Sequence, residues 1–461
     1  MLPAELIYEK VPQMKSDKSR SKPEQIIVDF TRPEGAIKPL HGINNTPVVY
    51  NGKIPELLDA CIPYVRLHDT GGAFGGTYLV DVPNLFPDFE ADPKDPASYD
   101  FAYNDAYFRT LVASGMKIFY RLGVTIENNY QLKPQRIFPP RDFRKWADIC
   151  SGIIRHYTEG WADGFHYDIQ YWEIWNEPES PAMWQGTYQQ FYEMYTTVAP
   201  ILKKRFPKLK IGGYGGSGFF AITRQNCNAL RKDYLRFFQE FLKHLKSHPE
   251  APFDFFTWHL YSKGPHEAET HALYVRRQLD EAGFTHTESI FGEWNYIEHD
   301  TCAEDRAPWD TMRSSEGSAY VAAIFALFQK APVDMCLYYD AFPQRKYCGL
   351  YLYPEHKVSR TYYSFKAFNC LYQLGTAVHT EAGEAENGIY ALAATDGQGK
   401  GAMLLANRRP VTRRLQLQVI GLNGTPAILV IDDDRALTEV NWLLEDGTLT
   451  VPPCSVLLLK W

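Results

Sequence analysis

No run in these 461 residues approaches the roughly 20 consecutive apolar positions that a membrane-spanning helix requires. The opening residues, Met1 to Lys10, also lack the apolar core behind a basic patch that marks an export signal. A soluble, cytoplasmic protein is therefore expected, although a chain whose signal had been trimmed would read the same. Disulfide and zinc patterns are absent too. Eight cysteines, Cys61, Cys150, Cys227, Cys302, Cys336, Cys348, Cys370 and Cys454, are scattered without a CxxC pair, so they read as reduced, buried thiols. His266 and His271, with Glu267 and Glu269 between them, resemble the polar entry to a helix more than a metal site, and no HExxH accompanies them. No metal and no cofactor is expected. Nor is there a basic stripe: 48 basic against 55 acidic residues give a net charge of −7, which argues against nucleic acid and for a neutral ligand.

What the chain does have is aromatic surface, 15% of its residues with 10 Trp and 30 Tyr, enough for a core and for flat platforms beneath sugar rings. From residue 39 to 375, short β-branched or aromatic runs alternate with longer amphipathic stretches, the pattern of repeated βα units. Eight runs stand out, near Leu40–Ile43, Tyr64–His68, Lys117–Leu122, Ile169–Ile174, Lys210–Gly213, Phe253–His259, Ser289–Glu293 and Met335–Tyr339. Eight is the number that closes a (β/α)8 TIM barrel, though a doubly wound open sheet would alternate in the same way. Between them, Phe191, Met194, Tyr195, Val198, Ile201 and Leu202 share one helical face, as do Leu235, Phe238, Phe241, Leu242 and Leu245. The glycine-rich run from Gly212 to Gly218 lacks the Lys-Ser/Thr of a P-loop and reads as the loop after the fifth strand. After residue 376 the runs become short and alternating, separated by Asp396-Gly397, Asn423-Gly424 and Glu445-Asp446-Gly447, which predicts an accessory β-sandwich over 376–461. Residues 1–38 form an N-terminal segment, polar from Lys10 to Pro23, whose run Gln25–Phe30 could add a strand to that sandwich.

Two glutamates framed by tryptophan carry the chemistry. One lies in Trp172-Glu173-Ile174-Trp175-Asn176-Glu177-Pro178 and the other in Ile290-Phe291-Gly292-Glu293-Trp294-Asn295. Each follows an apolar strand, and residues at the C-terminal ends of barrel strands face the mouth. Opposed carboxyl groups, one protonated and one ionised, are what cleavage of a glycosidic bond demands. Arg66, on the second strand, could keep Glu293 ionised as a nucleophile needs. Glu177 would need a raised proton affinity to act as an acid, and Glu173 and Glu179 are nearby acids that compete for that role.

Trp-Asn-Glu-Pro after the fourth strand, His259-x-Tyr261 after the sixth and Glu293-Trp294 after the seventh resemble the clan A glycoside hydrolases, and the layout over 25–461 resembles glycoside hydrolase family 39. That family includes β-xylosidases and α-L-iduronidases. The resemblance implies a retaining double displacement with Glu177 as acid/base and Glu293 as nucleophile. It further implies that Asn176 bonds the sugar 2-hydroxyl, that Tyr261 orients Glu293, and that His259, Arg66, His68, His41 and Trp294 belong to the same pocket. Where the clan usually ends its eighth strand in a sugar-stacking Trp, this chain reads Leu337-Tyr338-Tyr339-Asp340-Ala341-Phe342, so Tyr339 could replace it and Asp340 adds an acid. The glycine loop from Asp69 to Tyr78 could wall one side of the pocket or be a plain surface loop.

A β-xyloside is the first substrate expectation and an α-L-arabinofuranoside or plant side chain the second. An iduronide ranks lower for want of a recognisable basic site. The partner expected is an oligosaccharide or polysaccharide side chain, with no nucleic acid and no membrane, and homo-oligomers are allowed. A carbohydrate-binding protein without turnover is the rival of another class, with a scaffolding role for the sandwich as a third.

Overall fold

The computed structural model describes residues 24–70, 79–125, 137–297, 307–382, 388–441 and 443–461. The glycine loop from 71 to 78, the polar stretch 10–23 and Cys302 lie outside them. Strand β1 (Glu24–Ala36) is followed by eight parallel strands, β2 (Gly42–Asn44), β3 (Tyr64–Leu67), β4 (Lys117–Leu122), β5 (Tyr171–Asn176), β6 (Lys210–Gly216), β7 (Phe255–Ser262), β8 (Glu288–Tyr296) and β9 (Met335–Tyr338). Pairing of β2 with β9 closes them into a barrel, which decides between the two readings that periodicity left open. Helices follow each strand on the outside, and each presents an apolar face to the strands. In the helix Tyr188–Arg205 the buried residues include Phe191, Met194, Tyr195, Val198 and Leu202, and its start is fixed by a capping box between Thr187 and Gln190.

Inside the barrel, Phe119, Tyr171, Phe255, Ile290, Met335 and Leu337 plug the lower end with an apolar layer. Above it the inward positions turn polar, with Arg66, Glu173, Thr257, His259 and Glu293 all buried. A barrel interior is a packed core rather than a pore, so this change of polarity along the axis locates the chemistry at the C-terminal ends of the strands.

The glycine run of 212–218 is not simply a loop: its first part is strand β6, which extends to Gly216. The glycines are there because space is short. A Cβ at Gly212 would collide with the carbonyl of Phe255, and one at Gly215 would lie 2.7 Å from Asn176 Oδ1, 2.9 Å from His259 Nε2 and 3.0 Å from Arg66 Nη2.

The remaining strands, β10 (Thr376–Glu381), β11 (Ile389–Thr395), β12 (Gly401–Asn407), β13 (Arg413–Ile420), β14 (Ala427–Ile431), β15 (Ala436–Val440), β16 (Leu444–Glu445), β17 (Thr448–Val451) and β18 (Ser455–Lys460), join β1 in one ten-stranded sheet. Its order is β15-β14-β18-β12-β11-β10-β1-β13-β17-β16, with β1 antiparallel to β10 and parallel to β13. The two layers of the expected sandwich are thus halves of one continuous sheet. Chain length forces the curl. Only Pro452–Cys454 connect β17 to β18, a reach of about 14 Å, whereas six strand spacings on a flat sheet would separate them by about 29 Å. The curl encloses a second core that includes Ile26, Val28, Val378, Met403, Leu415 and Leu457. On the outer face Tyr390, Leu392, Leu404 and Leu458 join the main core, where the sheet packs on the helices Ser315–Lys330 and Arg360–Leu374.

Among the described cysteines none is in a disulfide. Cys150, Cys227, Cys336 and Cys348 are buried as expected, but Cys61 is exposed. No helix among the described residues is long and apolar enough to cross a membrane.

Candidate active site

The site is organised around one buried arginine. Arg66 projects inward from β3 and is fully excluded from solvent. Its Nε donates to Glu173 Oε2 at 2.8 Å, Nη1 to Glu293 Oε1 at 2.8 Å and to Asn44 Oδ1 at 2.9 Å, and Nη2 to Asn176 Oδ1 at 2.6 Å. Burial works against the guanidinium charge, but the pull of Glu173 and Glu293 outweighs it and holds the proton more tightly than in a free arginine. Four strands are thereby tied to one side chain.

Glu293 reaches this cluster through an irregularity in β8. Trp258 of β7 pairs with Phe291 but His259 pairs with Glu293, leaving Gly292 as an extra residue, and the register against β9 breaks at the same place. This is a β-bulge, which turns both Gly292 and Glu293 toward the interior while Phe291 and Trp294 face the helices. Besides Arg66, Glu293 accepts a hydrogen bond from the Tyr261 hydroxyl at 2.9 Å. Burial first, and then the neighbouring Glu293 charge, push the Tyr261 phenol well above its ordinary value, so it stays a donor.

Glu177 is the first residue beyond β5 and adopts a left-handed backbone conformation with φ of 48°, as does Trp175 with 72°. Its amide donates to Gly215 O at 2.6 Å, which carries the β5–β6 ladder one step past the strand end. Between the two glutamates lies His259, whose Nδ1 is 2.9 Å from Glu177 Oε1 and 3.6 Å from Glu293 Oε2. Burial brings this imidazole down to about 4, so it is neutral near pH 7. One oxygen of Glu177 and one of Glu293 lie no more than 4.8 Å apart, with an imidazole nitrogen within the same distance of both. Three such ligands could hold a cation, but the guanidinium of Arg66 already supplies positive charge to Glu293.

The other expected residues divide. Asn176, His68, Tyr339 and Asp340 are part of this cluster or beside it. Asn176 Nδ2 is 3.3 Å from His68 Nε2, which is 3.7 Å from Glu293 Oε1 and 3.1 Å from Asp69 Oδ2. Tyr339 donates to that same Asp69 oxygen at 2.8 Å. Burial opposes the Asp69 charge, but His68 and the Tyr339 hydroxyl outweigh it and keep the carboxylate ionised. Asp340 is fully buried, accepts from Gln344 Nε2 at 3.1 Å, and has its proton affinity raised well above the ordinary carboxylate value by burial.

Two expectations are corrected. His41 precedes β2 instead of following it, so it lies toward the closed end of the barrel, edge-on to Phe368 and Tyr372. Trp294 points out of the barrel, against Tyr320, Phe325 and Tyr338, because the bulge gives the inward position to Glu293. Three side chains went unassigned in the sequence. Glu173 anchors Arg66 and is in turn bonded by Thr257; Asn44 receives Arg66 and donates to Gly292 O and Leu337 O; Asp69 ties His68 to Tyr339. A charged residue at an inward position of an apolar strand was the available signal for Glu173. The large cavity of about 510 Å³ lined by Phe86, Phe89, Trp146 and Trp175 lies behind β5 and includes neither glutamate.

With this geometry in hand, the family model described as Glycosyl hydrolases family 39 matches residues 64–323, more than half of the chain. The chain belongs to glycoside hydrolase family 39. The match takes in both glutamates and all of the barrel from β3 to β8, and leaves the curled sheet outside. A beta-xylosidase from Geobacillus stearothermophilus is 23% identical over 322 residues, 64% of this chain and 61% of that enzyme, so the chain matches less than two thirds of this relative's length. Among solved structures, a glucosidase from Croceicoccus marinus superimposes with a TM-score of 0.73 at 22% identity, covering 95% of this chain and 98% of that one. A monomeric beta-xylosidase from Caulobacter crescentus gives 0.65 at 16% identity, covering 95% and 99%. At these identities the likeness shows a shared fold, which extends over 95% of this chain.

Two outcomes follow from the packing. Gly215→Ala is expected to keep the secondary structure by circular dichroism while splitting the contacts among Arg66, Asn176 and His259, and so to lower turnover at least tenfold. Glu179, buried beside Glu177, is pushed by burial and then by that neighbour from 4.5 up to about 8. Below pH 4.5 the folded and unfolded chains both hold this proton. Between pH 4.5 and 8 the unfolded chain releases it first, so stability falls as pH rises through that window and then levels off. Glu179→Gln is therefore expected to match the wild-type melting temperature at pH 4 and to exceed it by a few degrees at pH 8.

Proposed function

We propose that the chain is a retaining glycoside hydrolase acting on β-xylosides. The observation that carries this reading is the approach of Glu177 and Glu293 to within 4.8 Å, oxygen to oxygen, at the C-terminal ends of the barrel strands. Retaining enzymes hold their carboxyl groups about 5–5.5 Å apart, whereas inverting ones leave about 6.5–9.5 Å for a water molecule. Arg66 and the Tyr261 hydroxyl fix the two oxygens of Glu293, and the arginine supplies the counter-charge an ionised nucleophile needs. The mechanism needs the proton of the pair on Glu177.

In the first step Glu293 attacks the anomeric carbon while Glu177 protonates the departing oxygen, giving a covalent glycosyl-enzyme. In the second step Glu177 takes a proton from water, which attacks the same carbon and releases the sugar. Asn176, His68, Tyr339 and Asp340 contact or flank the sugar, and His259 bridges the two glutamates. A neutral glycone suits the charge pattern, because the buried arginines Arg66 of β3 and Arg121 of β4 are matched by carboxylates, the second by Asp81 at 2.8 Å. The β-xyloside assignment is supported by family membership and by the relatives' names. A binding protein without turnover would not need so close a pair of carboxyl groups.

A panel of 4-nitrophenyl pentosides and hexosides tests the reading. Glu293→Gln is expected to lose at least three orders of magnitude in kcat, and Glu177→Gln two to four on substrates whose leaving group needs a proton. Proton NMR of the first-formed product is expected to show the substrate's own anomeric configuration. Turnover unaffected by Glu293→Gln sinks the mechanism, as does an inverted product. Reaction with arabinofuranosides alone would replace the substrate and leave the mechanism standing.

A further inference from the structure

The turn that carries Glu177 holds a second carboxyl group, and the two side chains part company. Glu177 faces His259 and Glu293, whereas Glu179 is buried among Tyr188, Tyr214 and Tyr234 on the helix side of the turn. The turn is fastened to β6 at two points. Glu177 N donates to Gly215 O at 2.6 Å, and Ser217 N donates to Glu179 Oε1 at 2.5 Å. A regular parallel strand would offer the Glu177 carbonyl to Ser217 N, but the left-handed turn at Glu177 directs that carbonyl to Ser180 N at 2.9 Å. The Glu179 side chain therefore takes over as acceptor for the next amide of β6. Its other oxygen, Oε2, is buried and has no hydrogen-bond partner among the described residues, so the carboxyl group's hold on the chain runs through Oε1 and the Ser217 amide. The tyrosine hydroxyl of Tyr188, which reaches Glu179 O at 3.4 Å, adds a weaker hold on the same residue from the following helix. Because the carboxyl keeps its proton near neutral pH, the arrangement adds no second negative charge beside Glu177.

We propose that Glu179 is the positioning residue for Glu177: its side chain replaces the ladder acceptor that the turn at Glu177 takes away from Ser217 N, and so aims the acid/base at the leaving-group oxygen. This rests on the reading of Glu177 as the general acid. A residue that merely supports folding would slow every substrate alike, whereas a residue that aims the acid matters only where a proton must be delivered.

The test compares kcat/KM on two glycosides of the preferred sugar, the 2,4-dinitrophenyl glycoside, whose leaving group departs unprotonated, and the phenyl glycoside, whose leaving group needs the proton. Glu179→Ala is expected to lower the phenyl value about tenfold or more and the dinitrophenyl value less than about threefold, a part of what the acid itself supplies. Glu179→Gln is expected to restore both, since its amide oxygen accepts from Ser217 N. Should Glu179→Ala fail to fold, Glu179→Met, of similar volume and without an acceptor oxygen, is expected to show the same split. Equal losses on both substrates overturn the proposal, and so does the absence of any loss. Glu177→Gln, assayed alongside, separates the two readings. If it discriminates between the substrates and the Glu179 variants do not, only the positioning role falls; if it does not discriminate, the acid assignment falls first.

Discussion

A guanidinium with no access to water has to be surrounded by acceptors, and the upper half of this barrel is arranged to do that for Arg66. Its donors reach Asn44 on β2, Glu173 and Asn176 on β5 and Glu293 on β8, so side chains from separate βα units are held in one frame. Two carboxylates against one arginine leave the cluster with an excess of negative charge if every acid is ionised. That excess is tolerable beside a cation and costly without it: breaking such a buried pair from one side typically costs about 3–5 kcal/mol. The interaction that stabilises the fold locally is thus the same one that charges and orients the proposed nucleophile.

Precision at the site comes from departures from regular structure. The bulge at Gly292 lets two consecutive residues of β8 face inward, and the left-handed turn at Glu177 swings the opposing carboxyl group over the same space. Glycine clears the room between them: at Gly215 any side chain would enter the Arg66, Asn176 and His259 cluster. These are small deformations imposed on a rigid frame. The apolar plug at the lower end of the barrel and the helices around it hold that frame in place.

The curled sheet is built by a different constraint. A short link between β17 and β18 brings the ends of a ten-stranded sheet face to face, and β1, from the start of the chain, fills the place between β10 and β13. Contact with the barrel runs through the helices Ser315–Lys330 and Arg360–Leu374, which follow β8 and β9. Arg408, beyond β12, stacks over Tyr296 and Tyr320, and so links the sheet to the end of the strand that carries Glu293.

Much of this was legible in one dimension. Short β-branched or aromatic runs, separated by amphipathic stretches, placed the barrel strands to within a few residues, because burial on both faces of a parallel strand leaves an apolar signature. Trp-Asn-Glu-Pro marked the end of β5 and Gly-Glu-Trp the upper part of β8, since a carboxylate set in or directly after an apolar run needs a buried partner or a chemical task. The sequence could not say that the strands closed into a barrel, that β6 ran through its glycines, or that two layers of β-structure were one sheet, because pairing is a property of partners distant along the chain. Nor could it assign directions. His41 lies beside the right strand and Trp294 within it, yet both face elsewhere, and the roles of Glu173 as the partner of Arg66 and of Asp69 as the tie between His68 and Tyr339 stayed hidden, because a one-residue bulge or a strand boundary moved by two positions reverses which side chains point inward. Residue types and their order determined which groups were available for catalysis; the closed barrel, through its registers and its buried charge, decided which of them meet.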